Sequence, residues 1–214
     1  MIRPEHVLKQ KTGGVIMQII LATANEDKVR EIEEIIGRRD LHLVSMRQAG
    51  FTDDIEENGD SFAANALIKA RAVHQITGGY VLADDSGLAI DPLDGAPGIY
   101  SARFAGIDAD YPTKINKLHD LLAPFPPETW TARFICVMAL ILPDGRSELF
   151  EGICRGRIAQ SARGRNGFGY DPVFLLPERG QTMAELDPAE KHAISHRGRA
   201  LKKLTDWLSG LTPE

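Results

Sequence analysis

Cysteine is scarce in this chain. Among 214 residues there are two, Cys136 and Cys154. Their separation fits no metal-ligand spacing, and two thiols make no disulfide framework, so the expectation is a pair of reduced thiols in a cytoplasmic protein. Long apolar runs are also missing, and nothing approaches the length needed to span a membrane. Residues 1–16 (MIRPEHVLKQKTGGVI) lack the apolar centre of a secretory signal. They read as an unstructured extension, with the ordered fold, 17–210, starting near Met17. Basic excess is absent too. The formal net charge is −5, which argues against a nucleic-acid backbone as the main partner and leaves room for a local basic pocket. What remains is an ordinary soluble composition, 43% hydrophobic and 26% charged, long enough for one large domain or two small ones.

The stretch 81–106 (VLADDSGLAIDPLDGAPGIYSARFAG) organises the chain. An apolar strand over 80–83 is expected to end at two adjacent carboxylates, Asp84 and Asp85, followed by Ser86 and Gly87. Neighbouring carboxylates repel and are costly to bury unless something positive compensates them. A hard divalent cation with oxygen ligands would do so; a solvated turn needs no such partner. Both readings stand on these residues alone.

Upstream, 18–21 reads as a buried strand, 22–25 as a short turn and Asn25 as a helix N-cap. Val29, Ile32, Ile35 and Ile36 make the apolar helix face, and Gly37 fits its C-terminal stop. Strand, tight turn and helix is a layout that holds anions on a helix N-terminus. Lys28 in the first turn opposes the helix dipole, so it is either a surface lysine or a partner for phosphate. Residues 41–45 predict a second strand and 51–60 an acidic loop, in which Glu57 is the candidate ligand. The helix expected over 61–78 carries Asn65 and Lys69 four residues apart, hence on one face.

Downstream, 112–122 predicts a helix and 123–129 (APFPPET) a proline-rich connector. Residues 132–142 and 147–158 read as a strand hairpin around Pro143-Asp144-Gly145-Arg146. Arg155, Arg157, Arg163 and Arg165 read as a solvated rim rather than an RNA contact in so acidic a chain. Phe168-Gly169-Tyr170-Asp171-Pro172 offers an aromatic face, a glycine permitting close approach, a phenol and a carboxylate. Glu185, Glu190 and Lys191 lie in a polar segment. Ser195 is the expected N-cap of a last helix that carries His196 and Arg197 in its first turn.

Several of these features fall in one order. They are Thr23-x-Asn25-x-x-Lys28; Glu57-x-Gly59-x-Ser61-Phe62-x-x-Asn65-Ala66-x-x-Lys69-Ala70; Asp84-Asp85-Ser86-Gly87-Leu88; Gly95-Ala96-Pro97-Gly98-x-Tyr100-Ser101-Ala102-Arg103; Phe168-Gly169-Tyr170-Asp171-Pro172; and Lys191-x-x-x-Ser195-His196-Arg197. The ordered set resembles the inosine/xanthosine triphosphate pyrophosphatase family over 17–208. Ala24 stands where that family commonly has glycine or serine, and Asn58 where it has threonine. The resemblance implies an α/β fold, an elongated mixed β-sheet with flanking helices and two lobes around a central cleft, related to the Maf-type pyrophosphatases and usually a homodimer. It implies Mg2+-dependent hydrolysis of ITP, dITP and XTP to the monophosphate plus pyrophosphate. By position, Thr23, Ala24, Asn25, Glu26, Asp27 and Lys28 would hold phosphate, with Lys69 and Ser86 nearby. Glu57 and Asp85 would bind the metal, Asp85 also accepting a proton. Phe168, Gly169, Tyr170, Asp171, Lys191, His196 and Arg197 would hold the base and sugar. Two other readings compete: a Maf-like enzyme preferring dTTP or UTP, and a catalytically silent nucleotide- or RNA-binding protein.

Overall fold

The computed structural model describes residues 7–9, 15–38 and 40–210. Among them are eight strands, β1 (Val7–Lys9), β2 (Val15–Leu21), β3 (Leu41–Ser45), β4 (Tyr80–Ile90), β5 (Thr131–Ile141), β6 (Ser147–Ile158), β7 (Phe174–Leu176) and β8 (Gln181–Thr182). The helices are α1 (Glu26–Ile36), α2 (Phe62–Thr77), α3 (Tyr111–Leu122), α4 (Pro188–Ile194) and α5 (His196–Ser209). The strands follow the order β1-β2-β4-β5-β6-β7-β8, with β3 paired to β2. Pairing is parallel for β2–β3 and β2–β4 and antiparallel for β6–β7 and β7–β8. This is the expected mixed sheet with flanking helices.

Contacts along the chain define two compact units. The first comprises the described residues up to Asp85, Val137–Glu151 and those from Leu201 onward; the second comprises Ser86–Cys136 and Gly152–Ala200. In the first unit, β2, α1 and β3 step to one side of β2, and α2 returns the chain to β4 on the other. The carboxyl end of β2 is therefore a switch point, where α/β sheets open a crevice for ligands. Its core includes Ile20 from β2 and Ala22 just after it, Ala66, Ala70 and Val73 from α2, and Val81 and Ala83 from β4. The second unit packs Leu118 and Leu122 of α3 with Leu88, Trp130, Phe134, Val173, Phe174 and Leu186.

Two boundaries differ from expectation. The strand expected to stop at Ala83 continues to Ile90, carrying Asp84 and Asp85 inside it. It is β2 that stops: its last residue, Leu21, pairs with Leu82. The carboxylates therefore lie just past the end of a parallel neighbour. Most of the expected 1–16 extension lies outside the described residues. Within it, Val7–Lys9 pairs antiparallel with β2, and β2 starts at Val15, two residues before Met17.

Candidate functional site

Successive side chains on a strand point to opposite faces, and this sends the two aspartates to different helices. Asp85 shares the face of Val81 and Ala83, which pack on α2. Asn65 Nδ2 of that helix donates to Asp85 Oδ2 at 3.1 Å. One turn later, Lys69 Nζ lies 3.1 Å from Glu57 Oε1 and 3.9 Å from Asp85 Oδ1. Asn65 and Lys69 are both buried, the first completely. Burial pushes the Asp85 carboxyl above its ordinary range; Lys69, Lys28 and the Asn65 hydrogen bond oppose that shift, and Glu57 adds to it.

Asp84, on the other face, forms an ion pair with Lys28 Nζ at 3.0 Å. The lysine that sat against the dipole of α1 thus has a buried carboxylate partner. The helix start itself follows expectation. Asn25 caps it by accepting from Lys28 N–H, and Thr23 Oγ1 accepts from Asn25 N–H. Glu26 and Asp27 occupy the first turn, where acidic side chains suit the dipole; Asp27 pairs with Arg30 at the surface.

Lys69 already places one positive charge between Glu57 and Asp85, and the donors facing it are carboxylate oxygens. That donor set suits a hard divalent cation. Among the described residues no three Asp, Glu, His or Cys side chains converge as a metal site. The chain alone would supply two carboxylates, with water and substrate phosphate completing the shell, which is how Mg2+ is commonly held.

The remaining expected site residues gather in the second unit. Asp171 Oδ2 accepts from Phe168 N–H at 2.9 Å and pairs with Lys191 Nζ at 2.7 Å. Lys191 Nζ lies 5.0 Å and Arg197 Cζ 5.5 Å from the Phe168 ring centroid, so two cations lie against one aromatic ring. Arg197 Nη2 reaches Ser86 Oγ at 3.4 Å. His196 stacks on Phe134, with centroids 4.7 Å apart. Asp171, Lys191, His196 and Arg197 are all buried. Tyr170 is buried with its hydroxyl on Ser101 O, and Gly169 lies against the Tyr111 ring. Ser195 caps α5 as expected, its Oγ accepting from Gly198 N–H.

Residues 19–207 match the sequence profile of the Ham1 family. The chain belongs to this family. It is 48% identical over 196 residues to the dITP/XTP pyrophosphatase of Desulforamulus reducens, an alignment covering 91% of this chain and 97% of that protein. It is 45% identical over 194 residues to the dITP/XTP pyrophosphatase of Bacillus subtilis, covering 91% and 98%. The fold matches the HAM1 protein from Coxiella burnetii with a TM-score of 0.84 and 41% identity, over 91% of this chain and 100% of that one. The Staphylococcus aureus Ham1 protein matches at 0.83 and 37%, with the same coverage.

Two buried residues of this Ham1-family chain partner expected site residues without being among them: Asn65 holds Asp85, and Asp84 pairs with Lys28. Helical spacing puts Asn65 on the Lys69 face, but its amide meets the Asp85 carboxylate only through the packing of β4 on α2. As adjacent carboxylates Asp84 and Asp85 read as a repelling pair, but strand alternation separates them and gives Asp84 to Lys28. The signal for both was present: Asn65 lies one helical turn from Lys69, and Asp84 alternates with Asp85.

Proposed function

We propose that this chain is a Mg2+-dependent nucleoside triphosphate pyrophosphatase that converts ITP, dITP and XTP to their monophosphates and pyrophosphate, keeping deaminated purines out of DNA and RNA. The observation that carries the reading is the Asp85–Asn65–Lys69–Glu57 cluster, in a chain nearly half identical to proteins named dITP/XTP pyrophosphatase. Water attacks the α-phosphorus, the bond to the bridging oxygen breaks, and pyrophosphate leaves. Asp85 takes the proton of the attacking water; its burial makes it a stronger base than an exposed aspartate. Glu57 and Asp85 would hold Mg2+, which would neutralise the charge that builds on the phosphate oxygens. Lys69 and Lys28 add fixed positive charge, and the main-chain N–H groups of Glu26 and Asp27 in the first turn of α1 offer donors to phosphate.

Phe168, with Lys191 and Arg197 beside it, offers a stacking face for a purine. Hypoxanthine and xanthine present an acceptor oxygen at C6, whereas adenine presents an amine. Donors from His196, Arg197 or the main chain would be left unpaired against adenine, and such mismatch rejects a substrate by roughly 10⁴-fold. The reading includes a homodimer in the cytoplasm. A panel of nucleoside triphosphates with Mg2+, scored for pyrophosphate, tests it. ITP, dITP and XTP should release pyrophosphate stoichiometrically and far faster than ATP or GTP. Orthophosphate as first product, or preference for UTP or dTTP, would overturn it.

A further inference from the structure

One amide joins two segments of the first unit that the sequence keeps apart. Asn65 Oδ1 accepts from Gly59 N–H at 2.8 Å, and Asn65 Nδ2 donates to Asp85 Oδ2 at 3.1 Å. The orientation of the amide follows from its partners. A main-chain N–H only donates, so the amide oxygen faces Gly59 and the nitrogen faces the carboxylate. Gly59 lies two residues beyond Glu57, so the same amide fixes both the loop that carries Glu57 and the strand that carries Asp85.

The glycine supplies an independent observation. Gly59 is not among the residues with positive φ, so its backbone conformation does not demand glycine. Space does. A Cβ at position 59 would lie 2.7 Å from Asn65 Oδ1, 2.8 Å from Ala64 Cβ and 3.0 Å from Asn65 N. Only glycine lets the loop come down onto the amide.

We propose that Asn65 is a positioning residue, a strut that sets the spacing of Glu57 and Asp85 with Gly59 as its seat. No other side chain fills this role. Aspartate would keep the acceptor for Gly59 but set a second carboxylate against Asp85. Alanine and serine are too short to reach both partners, and glutamine is one methylene too long for the gap. The strut holds Asp85 Oδ2, which turns Oδ1 toward Lys69 and Glu57. This inference rests on the pyrophosphatase reading for its functional meaning, though not for its geometry.

The test uses Asn65→Ala, Asn65→Asp, Gly59→Ala and the double variant Gly59→Ala/Asn65→Ala. Mn2+ binding to nucleotide-free protein is followed by the resonance signal of free Mn2+. Pyrophosphate release from ITP and thermal melting are measured alongside. Each single variant should lose about 10–100-fold in Mn2+ affinity and in kcat, the usual range for residues that orient metal ligands. KM for ITP should stay unchanged. The double variant should be no worse than the weaker single one, because both remove one interaction. A lowered melting temperature with wild-type Mn2+ affinity and kcat would mean a purely structural asparagine and would overturn the strut. So would an additive double variant. If Asn65→Ala fails to fold, Gly59→Ala, at a half-buried position of a largely exposed loop, decides: wild-type metal binding there refutes the proposal. A wild-type protein that releases no pyrophosphate from ITP would sink the enzymatic reading instead, and the Mn2+ measurements would still decide the strut.

Discussion

Two adjacent aspartates near a strand end leave open what neutralises them. The answer at the level of single residues is a lysine each, delivered by different helices: Lys28 to Asp84 and Lys69 to Asp85. Removing one partner of a buried pair leaves an uncompensated charge and costs about 3–5 kcal/mol, whereas replacing both by apolar groups is often neutral. Lys28→Met should therefore lower stability in urea by an amount near the low end of that range, since Lys28 keeps some exposure. The double variant Lys28→Met/Asp84→Leu should recover most of it and remain inactive toward ITP. Recovered activity in the double variant would remove Lys28 from the chemistry. If Asp85 accepts the proton as proposed, Asp85→Asn should keep the fold and lose about 10²–10⁴-fold in kcat. Tyr170 gives a pH test. Its phenol is raised above its ordinary value, first by burial and then by Tyr111. The folded state thus prefers the protonated phenol. Its contribution to stability is complete below the unfolded value of about 10 and is lost as pH climbs toward the folded value. Tyr170→Phe should flatten the fall of the urea midpoint above pH 10. At neutral pH it should cost about 1 kcal/mol through the lost bond to Ser101 O.

At the level of elements, the start of α5 shows what a sequence reveals and what it hides. The Ser195 cap was legible, because capping is a local event with a local signal. The short helix α4, which carries Lys191, was missed. Seven residues give too few turns for periodicity, although Asp187-Pro188 is the cap-and-proline pair that opens helices. The close approach of α5 to β6 was not legible at all. A Cβ on Gly152 would stand 2.0 Å from His196 O and 2.6 Å from Ala200 N. Gly152 does not have a positive φ, so its need for glycine comes from a helix 44 residues away in sequence, counting from 152 to 196. Gly152→Ala should push α5 outward and lower stability by about 1–3 kcal/mol. It should also raise KM for ITP more than it lowers kcat, since His196 and Arg197 ride on the displaced turn. An unchanged KM would separate that turn from base recognition.

For the molecule as a whole, the ordered motifs made the family legible, and short apolar runs and helically spaced apolar faces made most strands and helices legible. The extent of β4 was not: the adjacent carboxylates read as the end of a strand, yet β4 runs on to Ile90, past the last residue of β2 that pairs with it. The substrate reading has a consequence for the stability of the whole chain that does not depend on turnover. A ligand that binds only the folded state at 100 times its Kd stabilises it by about 2.7 kcal/mol. For a chain of this length that is a rise in melting temperature of about 5–10 °C. On the proposed base recognition, a non-hydrolysable ITP analogue with Mg2+ should produce such a rise, and the matching ATP analogue, whose C6 amine would face donors, should produce little. Asp85→Asn should retain part of the rise, since base recognition is untouched, while Arg197→Ala should lose most of it even with Mg2+ present. Equal shifts with the ITP and ATP analogues would show that the aromatic and basic residues around Phe168 do not choose the base.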